Sequence, residues 1–466
     1  MKTGLSSRQT CKQIHPAVAR PRRHPSSIPL TLKLVPQRVF IQSFGCRASQ
    51  ADGAAIQASL EDRGWLPVRD AASADLVILN TCTVTHGADV DARRTVRNLH
   101  RDHPNAQVLV TGCYAQRAPA ELARIEGVRW VVGNSHKTQI ADLVSAQSES
   151  YHGQIVIGDI AAATGFLASP VRDIRDDRTR PNLKVQDGCS NKCSFCIIPS
   201  VRGRSRSAPL SSVIAQVQDL ASRYVEVVLS GINLGRWGRD LPGQIRFLDL
   251  LRAILDETPV QRLRISSVEP MDWSTELLEW ITSSPRIAQH VHIPLQSGSD
   301  AVLKRMFRKY RTRHYQTRIE LARQLMPLAA IGADVMTGFP GETDSEFDET
   351  LHFIEQHPFT YLHVFTYSER PGTAAIHHAN PVPPSVRHER TRVLRELSDS
   401  KNLAFRRQML GRTLPAVTLE QPNMALTSNF LKVEMTQPRQ PNQNINLEIG
   451  NLISNGLRER ELLPCL

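Results

Sequence analysis

The 466-residue chain contains no run of about 18 or more apolar residues, so no segment is suited to span a membrane as a helix. Nothing near its start has the sustained apolar core of a secretory signal. Eight cysteines in a chain of this length do not make a small disulfide-stapled scaffold. These absences predict a protein without membrane association in a reducing, cytoplasmic setting, where patterned cysteines bind metal or carry out redox chemistry.

Acidic residues are absent from the first 51 positions, where Lys and Arg contribute +9 of the net charge of +12. The rest of the chain carries only +3, so charge alone leaves nucleic-acid binding undecided. We expect residues 1–36 to form a basic disordered extension. An organelle transit peptide and a misplaced start codon are the alternatives.

Three apolar segments in the first quarter of the chain each end at a cysteine: "RVFIQSFGC" at Cys46, "ADLVILNTC" at Cys82 and "AQVLVTGC" at Cys113. Amphipathic stretches at about 48–63 and 87–102 lie between them, and this alternation predicts parallel βαβ units. Open parallel sheets bind ligands at the carboxyl ends of their strands. We therefore expect the three cysteines to meet there, although a single buried cysteine is more often a packing residue.

From about residue 180, six strand-like runs alternate with helical patterns and predict a partial (β/α)6 barrel of the TIM type. A long Arg-rich helix is expected at about 386–410, followed by a small C-terminal β-barrel. The predicted fold class is α/β, with a Rossmann-like parallel-sheet domain ahead of the partial barrel. The predicted boundaries are 1–36 for the extension and 37–150, 175–407 and 408–466 for the three domains.

The segment "DGCSNKCSFC" holds Cys189, Cys193 and Cys196 and lacks a fourth ligand, because the next cysteine along the chain is Cys465. A zinc ribbon needs a second C-x-x-C, and a thioredoxin-like pair leaves Cys189 unexplained. Three cysteines on one loop at the mouth of a β/α barrel favour a [4Fe–4S] cluster with one open iron. Zinc and purely structural roles remain the alternatives.

These residues resemble the radical S-adenosylmethionine (SAM) enzymes and, within them, the methylthiotransferases. The resemblance covers about residues 37–466 and rests on "NTCTVT", "TGCYAQR", "VQDGCSNKCSFCIIPSVRGRSRS", "LSGINLGRWG", "HIPLQSGSDAVLKRM", "TGFPGET" and "FTYSERPGTAA". It implies a first [4Fe–4S] cluster on Cys189, Cys193 and Cys196, with SAM on its open iron. It also implies an auxiliary [4Fe–4S] cluster, carrying the sulfur to be inserted, on Cys46, Cys82 and Cys113.

Other residues are candidates for binding cofactor or substrate, with a plain loop role as the alternative for each. The candidates for SAM are Gly231, Asn233, Ser267, Glu269, Gln296 and Gly338. Arg202, Arg204 and Arg206 follow the cluster loop and are candidates for gripping a substrate carboxylate or phosphate.

The family acts on isopentenyladenosine in tRNA, on threonylcarbamoyladenosine in tRNA, or on an aspartate of a ribosomal protein. The motifs of this chain are most similar to those of the branch that acts on threonylcarbamoyladenosine. The resemblance implies tRNA, an external electron donor and a sulfur donor as partners, and it does not indicate an oligomeric state. Two rival readings are a radical enzyme whose second cluster only relays electrons and a non-catalytic RNA-binding iron–sulfur protein.

The chain departs from the family pattern in two places. Ser49 stands three residues after the first cysteine, where the family usually has Asn, which puts the surroundings of the auxiliary cluster in doubt. The C-terminal segment resembles the RNA-binding TRAM barrel but is short, and Phe430 is its only aromatic residue. A weak grip on RNA is therefore expected.

Overall fold

The computed structural model describes residues 37–146, 153–167 and 179–461, and the statements below refer to these residues. The predicted extension of residues 1–36 lies outside them, as do Cys11 and Cys465. Within those ranges, no helix is both long and apolar enough to cross a membrane.

The chain first folds into a parallel six-stranded sheet. Its strands are β1 (Arg38–Ser43), β2 (Leu66–Pro67), β3 (Leu76–Thr81), β4 (Gln107–Gly112), β5 (Val128–Gly133) and β6 (Gln154–Val156), in the spatial order β2-β1-β3-β4-β5-β6. The helices are α1 (Arg47–Glu61), α2 (His86–Asp102), α3 (Cys113–Arg117), α4 (Pro119–Ala123) and α5 (Ile140–Ser145). Side chains of β3 alternate between two apolar clusters, so both faces of the sheet are covered, as parallel sheets require.

A partial barrel follows. Its strands are β7 (Asn182–Asp187), β8 (Arg206–Ser207), β9 (Glu226–Gly231), β10 (Arg262–Ile265), β11 (His290–His292), β12 (Ala330–Thr337) and β13 (Tyr361–Thr366). All except β8 run parallel and follow chain order, and a bridge between Leu263 and Ile287 joins the two halves. The helices are α6 (Ile198–Arg202), α7 (Leu210–Ala221), α8 (Phe247–Glu257), α9 (Thr275–Thr282), α10 (Asp300–Arg305), α11 (Thr312–Leu325), α12 (Asp344–Gln356) and α13 (Pro384–Arg407).

The last described segment is a closed five-stranded barrel. Its strands are β14 (Thr413–Thr418), β15 (Met424–Thr427), β16 (Lys432–Glu434), β17 (Asn444–Ile453) and β18 (Gly456–Glu459), in the order β14-β15-β16-β18-β17. Closure leaves no free edge, and the interior is filled by Val433, Leu447 and Leu457, each fully buried.

The predicted fold class is confirmed: a parallel sheet, a partial (β/α)6 barrel and a small closed β-barrel follow one another. The sheet has three strands beyond the apolar segments noted in the sequence, namely β2, β5 and β6. β6 pairs with β5, so the sheet continues past residue 150, where the first domain was expected to end. With two and three residues, β2 and β6 are too short to produce a periodic pattern and depend on pairing to neighbours.

Candidate active site

Cys46, Cys82 and Cys113, here called the strand-end triad, follow the adjacent strands β1, β3 and β4. Gly45 has a φ of +86°, and a Cβ there would lie 2.8 Å from the Cys82 sulfur, so the loop after β1 lies directly against Cys82. Burial, followed by the nearby thiols of Cys113 and Cys46, raises the pKa of Cys82 to about 11. The parallel sheet thus brings the three cysteines together.

Five buried charged side chains lie beside the strand-end triad and connect α1 to the partial barrel. Asp52 accepts hydrogen bonds from Lys137 Nζ at 2.8 Å and Arg202 Nη2 at 3.0 Å, and it also pairs with Lys184. Asp187 accepts from Arg202 Nη1 at 2.9 Å and Lys184 Nζ at 3.1 Å. Two carboxylates therefore hold three cations. This set is called the buried charge network below.

Arg202 does not border the cavity described below, although the sequence predicts that it binds substrate. Its side chain is 1% exposed. Its Nη2 donates at 3.1 Å to the hydroxyl of Ser49, which lies 3.8 Å from the Cys46 sulfur. Burial opposes its charge, but Cys113, Asp187 and Asp52 raise the pKa of Arg202 well above its ordinary value. Its position fits a fixed cation behind the strand-end triad rather than a substrate contact.

The other two predicted arginines also lie away from the cavity. Arg206 donates through Nη1 at 3.4 Å to the carbonyl of Ala163 and reaches toward Asp187 at 3.9 Å. Arg204 is exposed. Neither side chain is among the cavity-lining residues. The position of the three arginines just after the cluster loop therefore did not predict which residues line the cavity, because long-range ion pairs bury Arg202 elsewhere.

Cys189, Cys193 and Cys196, here called the loop triad, lie on the connection after β7. Gly188 has a φ of +70°, and a Cβ there would lie 2.0 Å from the carbonyl oxygen of Arg204, so only glycine fits this crossing of the loop. Burial, followed by the neighbouring Cys193 and Cys189, raises the pKa of Cys196 to about 12. The three thiols therefore form a second compact sulfur donor set.

Polar groups point at the sulfurs of the loop triad. The Cys189 sulfur lies 3.6 Å from Asn233 Nδ2, and the Cys193 sulfur lies 3.2 Å from Arg308 Nη1. Arg308 also pairs with Glu269. These donors offset negative charge on the sulfurs, as donors around a thiolate-bound cluster do.

Cysteines from both triads line one cavity of about 560 Å³. They are Cys46 of the strand-end triad and all three cysteines of the loop triad. The SAM candidates among its lining residues are Gly231, Asn233, Ser267, Glu269 and Gln296. Gln296 has a φ of +66°, a strained value for a non-glycine residue, and such strain clusters at functional sites.

Gly338, the remaining SAM candidate, lies outside this cavity. Its φ is +71°, and a Cβ there would lie 2.3 Å from the Cγ of Arg387. Its N–H donates to Glu342 at 2.7 Å. The glycine therefore serves a tight turn packed against α13, and its position does not support the predicted contact with SAM.

Polar side chains from the barrel strands β11, β12 and β13 also line the cavity. His363 Nδ1 and His292 Nε2 lie 3.2 Å and 3.4 Å from the same Asp334 oxygen. His290 Nε2 lies 2.7 Å from the Tyr361 hydroxyl. This wall offers both hydrogen-bond donors and acceptors to a bound group.

Phe430 reaches the same cavity from the turn between β15 and β16 of the C-terminal barrel. Its ring stacks on His290 with 4.4 Å between centroids, and the Arg264 guanidinium lies 5.4 Å from its centre. Arg264 also donates to the carbonyls of Thr427 and Ser428, each at 3.1 Å. The C-terminal barrel is therefore part of the cavity wall.

Two family models match the chain: uncharacterized protein family UPF0004 over residues 38–133 and the Radical SAM superfamily over residues 183–354. The threonylcarbamoyladenosine tRNA methylthiotransferase MtaB of Aquifex aeolicus is 35% identical over 402 residues, which cover 85% of this chain and 96% of that protein. MtaB of Bacillus subtilis is 37% identical over 405 residues, covering 85% and 89%. The chain belongs to the radical SAM methylthiotransferase family.

Relatives with a second name are almost as similar. The tRNA-2-methylthio-N(6)-dimethylallyladenosine synthase of Syntrophus aciditrophicus is 34% identical over 389 residues, covering 82% of this chain and 83% of that enzyme. Among solved structures, the radical SAM methyltransferase TsrM of Kitasatospora setae aligns with a TM-score of 0.53 at 15% identity, covering 73% of this chain and 77% of that one. That structural likeness supports the fold.

As a radical SAM methylthiotransferase, the protein uses SAM and a [4Fe–4S] cluster. The loop triad fits that requirement, because three thiolates with polar donors at their sulfurs face a cavity that leaves a fourth position open. The strand-end triad offers the same donor set, with Cys46 facing the same cavity.

Several residues of this methylthiotransferase cavity were missed by sequence reasoning. The missed residues are Arg47, Arg264, His290, Arg308, Asp334 and Tyr361, whereas the strand pattern predicts that His292 and His363 are packed core histidines. Strand periodicity was the available signal, because residues i and i+2 of a barrel strand face the same side. In "HVH" that rule places His290 and His292 on one face, and in "YLH" it places Tyr361 and His363 on one face. The alternating residues Leu362 and Val364 belong to the apolar core instead.

Proposed function

We propose that this enzyme inserts a methylthio group at carbon 2 of N6-threonylcarbamoyladenosine at position 37 of tRNA, 3′ of the anticodon. The observation that carries the proposal is that cysteines of both triads border one cavity of about 560 Å³. A volume of this order accommodates bound small groups. A sulfur donor and a radical source that border one cavity would act on the same substrate.

We propose two [4Fe–4S] clusters, one on the loop triad and an auxiliary one on the strand-end triad. When bound, the first cluster and one SAM would supply the 5′-deoxyadenosyl radical that abstracts hydrogen, the auxiliary cluster would supply the sulfur, and a second SAM would supply the methyl group on that sulfur. The protein holds the cysteines of each triad in position. Arg308 and Asn233 donate toward the loop triad, and the buried charge network fixes Arg202 beside the strand-end triad.

For SAM itself we propose the cavity-lining residues near the loop triad. Asn233 is held in place because its backbone N–H donates to Gln186 Oε1 at 2.6 Å. Glu269 is fixed by Arg308, which leaves its second oxygen for a polar group of the cofactor. The absence of a side chain at Gly231 leaves room beside Gln186, because a Cβ there would approach its side chain to 3.0 Å.

The choice of threonylcarbamoyladenosine over an isopentenyl-type base rests on the polar wall and on the names of the relatives. His290, His292, His363 and Asp334 line the same cavity as the cysteines. These groups pair with one another, but His290 Nδ1 has no hydrogen-bond partner among the described residues, and an apolar isopentenyl group would leave it unpaired, which is costly. A threonylcarbamoyl group offers carboxylate, hydroxyl and ureido groups to bond them, and the Aquifex aeolicus and Bacillus subtilis relatives carry that substrate in their names.

We also propose tRNA, an external electron donor and a sulfur donor as partners. The C-terminal barrel is placed to meet tRNA, because Phe430 already extends from it into the cavity wall. An aromatic ring at this position suits stacking with an unpaired base.

Nucleoside mass spectrometry of tRNA tests the proposal. The host lacks its own methylthiotransferases and expresses the wild-type chain, Cys193→Ala, or Cys465→Ala as a matched cysteine change outside both triads. We expect methylthio-threonylcarbamoyladenosine with the wild type and with Cys465→Ala, and none with Cys193→Ala.

Two results would overturn the substrate assignment. Methylthio-isopentenyladenosine in place of the expected nucleoside would keep the chemistry and move the enzyme to the other tRNA branch. Unmodified tRNA, with a methylthio group on a ribosomal-protein aspartate found by peptide mass spectrometry, would remove tRNA as the substrate.

A further inference from the structure

Arg47 differs from the other arginines of the cavity. It is the first residue of α1, directly after Cys46, and its side chain borders the cavity. The guanidinium of Arg264 is held by Glu226 at 2.7 Å and 3.1 Å, and that of Arg308 is held by Glu269. The Arg47 guanidinium has no hydrogen bond or ion pair with any residue in the described part of the chain.

The surroundings of Arg47 favour an incoming anion. The side chain is partly buried. The Arg264 guanidinium borders the same cavity, and a guanidinium keeps its charge at neutral pH. A half-buried cation among other cations is destabilised until a negative group pairs with it. Two parallel N–H donors match a carboxylate.

We propose that Arg47 binds the carboxylate of the threonylcarbamoyl group and is thereby a specificity-determining residue of the enzyme. The inference rests on the proposed function, since it presupposes a substrate that carries this carboxylate. Because Arg47 follows Cys46, a carboxylate bound there fixes the base at a set distance from the strand-end triad. A base with an isopentenyl group has no anion to offer and leaves Arg47 unpaired.

The test uses two anticodon stem-loop RNAs that differ only at the carboxylate, one with threonylcarbamoyladenosine and one with its methyl ester. Reconstituted wild type, Arg47→Gln and Arg47→Lys are compared with Arg246→Gln, an exposed arginine away from the cavity. For each we measure kcat/KM by product mass spectrometry and RNA affinity by fluorescence anisotropy. Iron content and RNA-independent 5′-deoxyadenosine formation check that the neighbouring cysteine is undisturbed.

We expect the wild type and Arg246→Gln to prefer the acid over the ester by about 10- to 100-fold, the range for a buried charge-assisted hydrogen bond. Arg47→Gln brings the acid down to the level of the ester, and Arg47→Lys restores part of the preference. If Arg47→Gln loses iron, its turnover cannot be compared. In that case the ratio of its affinities for the acid and ester stem-loops tests the role of Arg47.

Two results overturn the role of Arg47. Arg47→Gln keeping the wild-type preference would mean that another group binds the carboxylate. Equal losses for acid and ester would mean that Arg47 contacts an RNA phosphate. In both cases the wild type still modifies threonylcarbamoyladenosine, whereas a wild type that modifies neither RNA would remove the proposed function itself.

Discussion

The two cysteine triads have the same chemistry but are built in opposite ways. The loop triad lies within residues 189–196, on one connection after β7. The strand-end triad is drawn from positions 46, 82 and 113 and depends on β1, β3 and β4 lying side by side. One donor set is local in sequence, whereas the other exists only once a parallel sheet has formed.

Their electrostatic support differs as well. One pair, Arg308 and Glu269, lies beside the loop triad at the cavity wall. Behind the strand-end triad lies the closed buried charge network, in which Asp52 from α1 holds Lys184 and Arg202 from the barrel. We infer that the strand-end triad is coupled to the packing of the sheet against the barrel, while the loop triad depends on contacts within the barrel, namely those of Asn233 and Arg308.

The largest expected difference between the two triads is in activity, after one cysteine of each triad is removed. Cys193→Ala should abolish reductive SAM cleavage, since the loop triad loses a ligand. Cys113→Ala should keep 5′-deoxyadenosine formation but yield no methylthio product. Each should reduce iron from about eight to about four per chain after anaerobic reconstitution. Loss of SAM cleavage in both variants would favour a second cluster that relays electrons, and wild type with about four irons would remove the second cluster.

Breaking the buried charge network should cost stability at the strand-end triad. Asp52→Ala removes the carboxylate partner of Lys137 and one of the two carboxylates that Lys184 and Arg202 share, which we expect to lower the free energy of unfolding by about 3–5 kcal/mol. Urea denaturation measures it. Asp75→Ala, at an exposed pair with Arg38, is the matched control and should shift the midpoint far less. Equal shifts would show that the network adds nothing special.

The same network predicts an acid-sensitive stability. Burial opposes the charge of Asp52, but Lys137, Lys184 and Arg202 outweigh it and hold the pKa of Asp52 well below its ordinary value of 3.8. The unfolded chain therefore binds protons first, so the stabilisation is complete above that value and is lost as the pH falls below it. Urea midpoints measured from pH 7 downward should fall less steeply for Asp52→Asn. Parallel curves would argue against this coupling.

The smallest expected effect is a difference in thiol reactivity between Cys46 and Cys82 of the strand-end triad. Cys46 is exposed, while Cys82 is buried and its burial raises its pKa to about 11, so the Cys82 thiol is mostly protonated at pH 8. In metal-free folded protein, iodoacetamide should therefore modify Cys46 before Cys82, as followed by peptide mass spectrometry. Similar rates would mean that the sheet end opens without metal.

Much of the architecture was predictable because it is encoded in local patterns. Helices expected at about 48–63 and 87–102 are Arg47–Glu61 and His86–Asp102, and the apolar runs before the cysteines are strands. Because the carboxyl ends of parallel strands lie at the same edge of a sheet, the sequence predicts that Cys46, Cys82 and Cys113 converge. The short strands β2 and β6 left no such signal, since neighbours rather than periodicity hold them.

The sequence by itself determined the fold class, the two cysteine donor sets and the family, since these depend on spacing and on strand and helix periods. Tertiary structure alone decided which side chains line the cavity. It buried Arg202 against Asp52 and Asp187, and it left Arg47 and Phe430, from segments far apart in the chain, at one cavity. A guanidinium's role depends on whether a carboxylate lies within hydrogen-bond reach, and long-range packing sets that distance.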